Sequence, residues 1–272
     1  MAVAGQGQPQ QGLAIEKVKE NLYVITGNGG NTAVFLAAKG VVLVDTKNPN
    51  NGEGILNQVK SVTDKPITHI INTHTHGDHV GSNEFFPATV EIVTQANTGT
   101  NMAKMKNFAE PSSKHGLPDK TFNDRLTVLS GNDAIDLYYF GPAHTNGDAF
   151  VVFRNLRVMH AGDAFAGQSA PIMDANNGGS GVNYPSTLSK AAAGIKGVDT
   201  VIPGHSAVTN WQGFVDYGEF ISGFVSSARA SAKAGKPVEQ AVADYVPPEK
   251  FKSYNLGRAR QDIELIYKEV QK

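Results

Sequence analysis

Directly after the apolar run Ile67-Thr68-His69-Ile70-Ile71, the chain reads His74-Thr75-His76-Gly77-Asp78-His79, four candidate metal ligands within six positions. Such a segment belongs at a strand end, where the small Thr75 and Gly77 let the backbone turn tightly. In extended chain every second side chain points to the same side, so His74, His76 and Asp78 are expected to converge while His79 points elsewhere. A three-to-one split suits two neighbouring metal ions better than one. Imidazole with carboxylate is the donor set of zinc, with iron or manganese as alternatives. A lone histidine at a strand end would read as structural; three with an aspartate read as a metal site.

Composition narrows what can complete such a site. The chain contains no cysteine, so thiolate ligands and disulfides are excluded and any metal must be held by His, Asp or Glu. Its 272 residues, 40% hydrophobic, allow a sizeable core. The formal net charge of -1 gives no electrostatic footprint for nucleic acid or an anionic membrane surface. The expected partner is a small-molecule substrate, with no nucleic acid and no membrane; the sequence leaves the oligomeric state open. No apolar stretch approaches the roughly 18 residues needed to span a bilayer. The small-residue triplet Ala2-Val3-Ala4, followed by Gly5-Gln6-Gly7-Gln8-Pro9, resembles the end of a secretory signal. Residues 1–13 are therefore expected to be a flexible tail and the location periplasmic or secreted, with a cytoplasmic chain as the alternative. Residues 14–272 then form a single domain.

Short β-rich runs alternate with helical patterns. Leu22–Thr26, Thr32–Leu36 and Val41–Asp45 read as a meander of strands separated by Gly27-Asn28-Gly29-Gly30 and Lys39-Gly40. Ile55, Val59 and Val62 fall at helical spacing before the strand that ends at the cluster, and Val90–Val93 reads as a further strand. Leu126–Leu129, Ala134–Tyr139, Phe150–Phe153 and Arg157–His160 imply a second sheet. Phe214, Tyr217, Ile221, Phe224 and Ala228 mark one amphipathic helix, and Leu256, Ile263, Ile266 and Val270 another.

Three later segments place further ligands where strands end: His144 within Gly141-Pro142-Ala143-His144, Asp163 after His160-Ala161-Gly162, and His205 after Val201-Ile202-Pro203-Gly204. With the first cluster they supply seven groups, His74, His76, Asp78, His79, His144, Asp163 and His205, enough for two ions sharing one carboxylate.

The order His-x-His-x-Asp-His, single His, Asp, Pro-Gly-His over Tyr23 to His205 resembles the metallo-β-lactamase superfamily of metallohydrolases. The resemblance implies an α+β fold, a four-layer αβ/βα sandwich of two mixed β-sheets flanked by helices, with the metal site along one edge. It implies that His74, His76 and His144 hold one zinc ion, that Asp78, His79 and His205 hold a second, and that Asp163 bridges them. Dedicated β-lactamases of the family commonly carry Cys or a non-ligand at the bridging position. Asp163 instead resembles the thioesterase, lactonase and phosphodiesterase branches.

Two cations within about 4 Å ionise a shared water near neutral pH. The expected reaction is attack of that water on a small ester, lactone, thioester or amide carbonyl, including a β-lactam, with Asp78 orienting it and relaying its proton. No serine lies in a nucleophile-elbow pattern, so a covalent route is not expected. The alternatives are a phosphodiesterase of the same superfamily and a mono-iron persulfide-dioxygenase-like oxidoreductase using His74, His144 and Asp163. A diiron flavoprotein would have Glu where His76 stands. A non-catalytic zinc-stabilised protein would need four ligands rather than seven.

Among the other candidates, His69 and His160 lie within strands and read as hydrogen-bonded structural residues. His115 reads either as part of a solvated loop or of a lid, and Asp45 either as a turn cap or as a hydrogen-bond partner of a ligating His. The long segment Phe165–Tyr184 is expected to wall the substrate pocket.

Overall fold

Asn21, Gly27 and Asn28 adopt positive φ, and these turns fold the first third of the chain back on itself. In the computed structural model, which describes residues 12–271, β1 (Ala14–Lys19), β2 (Leu22–Thr26), β3 (Thr32–Leu36) and β4 (Val41–Val44) pair antiparallel in sequence order. The signal-like triplet and most of the expected tail lie outside the described residues. After α1 (Gly52–Lys60) the pairing becomes parallel: β5 (Ile67–Asn72) joins β4, and past the single turn of α2 (Gly77–Val80), β6 (Glu91–Gln95) joins β5. Beyond α3 (Ala96–Met102), β7 (Lys120–Phe122) closes this seven-stranded sheet.

A second, six-stranded sheet contains β8 (Arg125–Val128), β9 (Ile135–Tyr138), β10 (Phe150–Phe153) and β11 (Val158–Gly162) as antiparallel neighbours. The chain then crosses through α4 (Tyr184–Gly194) to β12 (Thr200–Pro203), parallel to β11, and turns into the two-residue edge strand β13 (Thr209–Asn210). Helices α5 (Trp211–Lys233), α6 (Val238–Asp244) and α7 (Ala259–Val270) complete the described chain. No helix among the described residues is long and apolar enough to cross a membrane.

Strand alternation sorts the side chains into layers. Val24, Ala33, Val42, Val44, Ile71 and Val93 face Ile135, Leu137, Val151 and Phe153 between the sheets, while the intervening Val34, Leu43, Ile70 and Ile92 meet Ile55 and Val59 of α1. On the far side, Phe150, Val152 and Met159 pack against Leu188, Phe214, Tyr217 and Ile263 of the helices. The result is the αβ/βα sandwich of two mixed sheets expected above. Elements with weak patterning were not anticipated. β1 (Ala-Ile-Glu-Lys-Val-Lys) is an exposed, charged edge strand, and α4 buries only Tyr184, Thr187, Leu188 and Ala191, too few large apolar groups to mark a helical stripe.

The layering places the site. β4, β5 and β6 run parallel, as do β9, β11 and β12, so the loops after β5, β9, β11 and β12 emerge at C-terminal strand ends. The sheets are tied there by Ala149 N donating to Thr73 O at 2.8 Å and Asn31 N donating to Gly204 O at 2.7 Å. The backbone at Asp163 is anchored by the helical layer: the Tyr184 hydroxyl donates to Asp163 O at 3.1 Å, and Phe165 packs on Phe214 and Tyr217 with ring centroids 6.0 and 4.8 Å away.

Phe214→Ala, at a site 1% exposed, is expected to cost about 3–5 kcal/mol in equilibrium denaturation; a loss under about 1 kcal/mol would show that this clasp does not matter. Asp262 of α7 is buried with Oδ2 unpartnered, and burial pushes its carboxyl up to about 7 against the opposing charge of Arg258. The folded state therefore keeps a proton that the unfolded chain releases near pH 4, and native stability falls as pH rises from about 4 to 7. Asp262→Asn removes this loss, so the melting temperature of the variant relative to wild type should be higher at pH 8 than at pH 5. An equal difference at both pH values contradicts the assignment.

Candidate metal centre

β5 ends at Asn72, residues 73–75 bend, and His76, at φ -68° and ψ 145°, stands at the N-terminus of α2. The strand alternation ends there. The helical turn from Gly77 swings Asp78 and His79 together, so the expectation that Asp78 joins His74 and His76 while His79 stands apart is corrected. The ligand atoms of His74, His76, His144 and Asp163 form one group and those of Asp78, His79 and His205 another, each within 4.8 Å. All seven anticipated side chains thus gather at one edge of the sandwich, in the division that the family resemblance implied.

Asp163 lies between the groups. Its Oδ1 is 3.3 Å from His79 Nε2, and its Oδ2 is 3.3 Å from His205 Nε2 and 3.7 Å from His144 Nε2. Asp78 Oδ2 is 3.2 Å from His205 Nε2. The second nitrogen of most imidazoles is held from outside: His74 Nδ1 by Thr73 Oγ1 at 3.0 Å, His76 Nε2 by Asp174 Oδ2 at 2.7 Å, His79 Nδ1 by Asp45 Oδ2 at 2.7 Å, and His144 Nδ1 by the Ile172 carbonyl. These bonds fix ring orientation and leave the remaining nitrogens facing inward.

The inward atoms fit cations better than one another. His74 Nε2 and Asp163 Oδ1 are buried without a hydrogen-bond partner. His76 Nδ1 faces His144 Nε2 at 2.9 Å, and His79 Nε2 faces His205 Nε2 at 3.2 Å. Crowded imidazole nitrogens around a buried carboxylate are a donor set for zinc or a related ion.

Charge is divided unevenly across the cluster. Burial lowers His74 well below the ordinary histidine range and takes His144 down to about 4. Burial opposes the charged form of His79 too, but Asp163 and Asp45 outweigh it and hold this imidazole well above its usual value. At His205 burial is likewise outweighed, by bonds to Asp163 and Asp78, and the group rises to about 9. The same pairings keep Asp163 ionised despite its burial.

Close approaches around the second group require glycine. A Cβ on Gly30 would lie 2.1 Å from the His79 ring, and one on Gly204 would lie 1.9 Å from Asp163 Oδ1. The Lys47 ammonium, fully buried, donates to the carbonyls of Ile25 at 2.9 Å and Gly30 at 2.7 Å and so pins the β2–β3 turn against His79. Asn31 Nδ2 donates to Pro203 O and Ser206 O, both at 2.8 Å, holding the loop that carries His205.

The other histidines lie elsewhere. His69 pairs with Glu91 at 3.2 Å, His160 is buried against Asn31 O at 3.0 Å, and His115 meets Glu84 O at 2.8 Å from a short helical turn. Asp45 serves the cluster by receiving His79 as well as Thr73 N and Oγ1 at 2.8 and 2.7 Å. Sequence reasoning missed Asp174, Asn31 and Lys47. Only Asp174 carried a signal, through its place in the segment after Asp163.

The sequence profile of the Metallo-beta-lactamase superfamily matches residues 25–205, which includes all seven groups. The chain belongs to the metallo-β-lactamase superfamily. A type 2 metallo-β-lactamase of Elizabethkingia meningoseptica is 27% identical over 165 residues, 57% of this chain and 64% of that protein. An uncharacterized protein of Bacillus subtilis (strain 168), YobT, is 32% identical over 136 residues, 46% of this chain and 57% of the relative. The aligned stretch thus spans less than two thirds of either. A metallo-β-lactamase from Pontibacter korlensis has the same fold, with a TM-score of 0.67 at 18% identity over 77% of this chain and 99% of its own.

Within this superfamily chain, the outer partners are testable. Asp174→Ala and Asp45→Ala, which free the rings of His76 and His79, are each expected to weaken zinc binding about 10–100-fold in competition with a chromophoric chelator. Wild-type affinity in both variants would remove Asp45 and Asp174 from the site.

Proposed function

We propose that this chain is a binuclear zinc hydrolase acting on a small ester, lactone, thioester or amide carbonyl. The observation that carries the reading is the position of Asp163, whose two oxygens address both groups of imidazoles. His74, His76 and His144 would hold one ion, Asp78, His79 and His205 the other, with Asp163 shared. When bound, such a pair lowers the pKa of water and polarises a carbonyl oxygen.

The chain's own residues supply the rest. The Asp78 side chain is 30% exposed against 5% for Asp163, so it is the carboxylate that an incoming water or substrate meets. Burial opposes its charged form, but the bond from His205 and the charge of His79 outweigh this and keep it below the usual carboxylate range, so it stays ionised to orient a nucleophilic water and accept its proton. His205, 38% exposed, forms the open side of the centre, while His74, His79 and His144 are buried behind it. With His76 at 21%, Asp78 and His205 are the most exposed of the seven groups, and they favour approach of the carbonyl from their side.

A mono-iron dioxygenase-like role needs only His74, His144 and Asp163 and gives no reason for the convergence of Asp78, His79 and His205. β-Lactam hydrolysis, the activity named for the Elizabethkingia relative, is one amide-cleaving version of the proposal, and the superfamily's phosphodiester chemistry is its nearest rival.

The test is a panel assay of zinc-loaded protein with nitrocefin, homoserine lactones, acyl thioesters and phosphodiesters. Turnover of at least one carbonyl substrate is expected, with His76→Ala and His205→Ala each lowering both bound zinc and kcat/KM by at least about 100-fold. Turnover of phosphodiesters alone, or a requirement for ferrous iron and oxygen, overturns the proposal.

A further inference from the structure

The open side of the centre leads into a cleft of about 810 Å³ whose walls include His205, Asn28, Ser206, Val208, Val24 and Glu16. It runs between the β1–β2 pair with its β2–β3 turn and the segment 205–208 that follows β12. Glu16 stands opposite Val24 in the β1–β2 pair, and Val24 faces the core between the sheets, so Glu16 lies on the inner face of its strand. Among the described residues, Glu16 is the one charged side chain besides the His205 imidazole in this lining. A smaller hollow of about 280 Å³ on the other side of Ser206–Val208, lined by Phe165, Gln168 and Thr209, carries no ionisable side chain.

The neighbouring cations do not face the cleft: Lys17, the next residue, pairs with Tyr23 on the opposite face of the strand. Lys19, on the same strand, is 3.3 Å from Asp199. Lys47 lies behind the cleft wall with its ammonium bonded to Ile25 O and Gly30 O, and it is fully buried. Lys104 contacts Asn101, which reaches Asn177 and hence the Asp174–His76 flank, the opposite side of the cluster. Glu16 is exposed and forms no ion pair or side-chain hydrogen bond among the described residues. A substrate group that extends past His205 therefore meets a carboxylate that no Lys or Arg side chain pairs with among the described residues.

We propose that Glu16 is a specificity determinant of this cleft, selecting substrates that carry an ammonium group and rejecting those that carry a carboxylate. The inference rests on the hydrolase reading for its chemistry, but the charge preference is a property of binding and is measurable without turnover. An exposed carboxylate acts through solvent, so the preference is modest and salt-sensitive. An anionic end suffers like-charge repulsion, and a cationic end gains a contact that a neutral group lacks.

The experiment uses the full zinc-loaded chain and acyl groups of one length ending in trimethylammonium or carboxylate. Thioesters of a common thiol report kcat/KM, and the corresponding ketones, which cannot be hydrolysed, report Kd by calorimetry. The wild type is expected to favour the cation over the anion by about 3- to 10-fold at low ionic strength in both series, the ratio shrinking toward one near 1 M salt, where the Debye length is about 3 Å. Glu16→Gln should bring the ratio close to one and Glu16→Lys should invert it, with bound zinc unchanged. Glu20→Lys, an equal charge change at an exposed turn residue outside the cleft lining, should keep the wild-type ratio. No turnover with an intact ketone preference removes the hydrolase reading and leaves Glu16 as the selector. A ketone ratio that Glu16→Lys leaves unaltered, that Glu20→Lys alters equally, or that is absent because neither ketone binds overturns the assignment.

Discussion

A carboxylate that is 4% exposed and ionised at the junction of two β-sheets is the constraint around which this molecule is arranged. An isolated charge at that depth would cost many kcal/mol and would protonate instead. Asp163 stays charged because imidazoles close on it from both sheets: His79 from the loop after β5, His144 from the loop after β9 and His205 from the loop after β12. The interaction is therefore also the tie between the halves of the fold. Tyr184 and Phe165 carry the same anchorage outward into the helical layer.

Holding several imidazoles around one carboxylate requires that each ring be unable to rotate, and the fold supplies a separate stop for most of them. Thr73, Asp45, Asp174 and the Ile172 carbonyl each take one ring nitrogen. Asp45 itself sits at φ 66° immediately after β4, a left-handed conformation that Asp tolerates better than most residues. Strain at one strand end is thus spent on orienting a ring at the next. Lys47, also left-handed at φ 62°, buries a cation to secure the turn above His79, and apolar packing alone does not provide two donors to two carbonyls.

The legible part of this design was what lies close in sequence or repeats a strand-end pattern. Six residues, 74–79, announced a metal site, and the three later His and Asp positions were readable because each follows a β-rich run. The meander, both sheets, the helix from Trp211 onward and the helix marked by Ile263, Ile266 and Val270 followed from periodicity, although Leu256, read as part of the latter, precedes its start at Ala259. What stayed hidden depends on contacts far apart in the chain. Asp174 reaches His76 across 98 positions and Asn31 reaches Ser206 across 175; Asp174 had only its place in the segment after Asp163 to mark it, and Asn31 had nothing. The local geometry of Asp78 and His79 was misjudged for a different reason. Alternation is valid only while the chain stays extended, and Gly77 starts a helical turn in the middle of the motif.

The same geometry separates what must be kept from what can vary. Every candidate ligand comes from a loop at a C-terminal strand end, packed from behind by the sheets, whereas the cleft beside His205 is walled by the edge strand β1, the β2–β3 turn and residues 205–208. These wall segments contribute one ligand, His205, and, apart from the β2–β3 glycines and Asn31 that brace the second group, present side chains with no hydrogen bond to the buried carboxylate or its imidazoles. A scaffold of this kind can change the charge and shape of its substrate without disturbing the centre. In this chain the edge strand brings a carboxylate to that wall and the nearby lysines are turned away from it, so the charge character of the cleft is set by the part of the fold that is least constrained by the core.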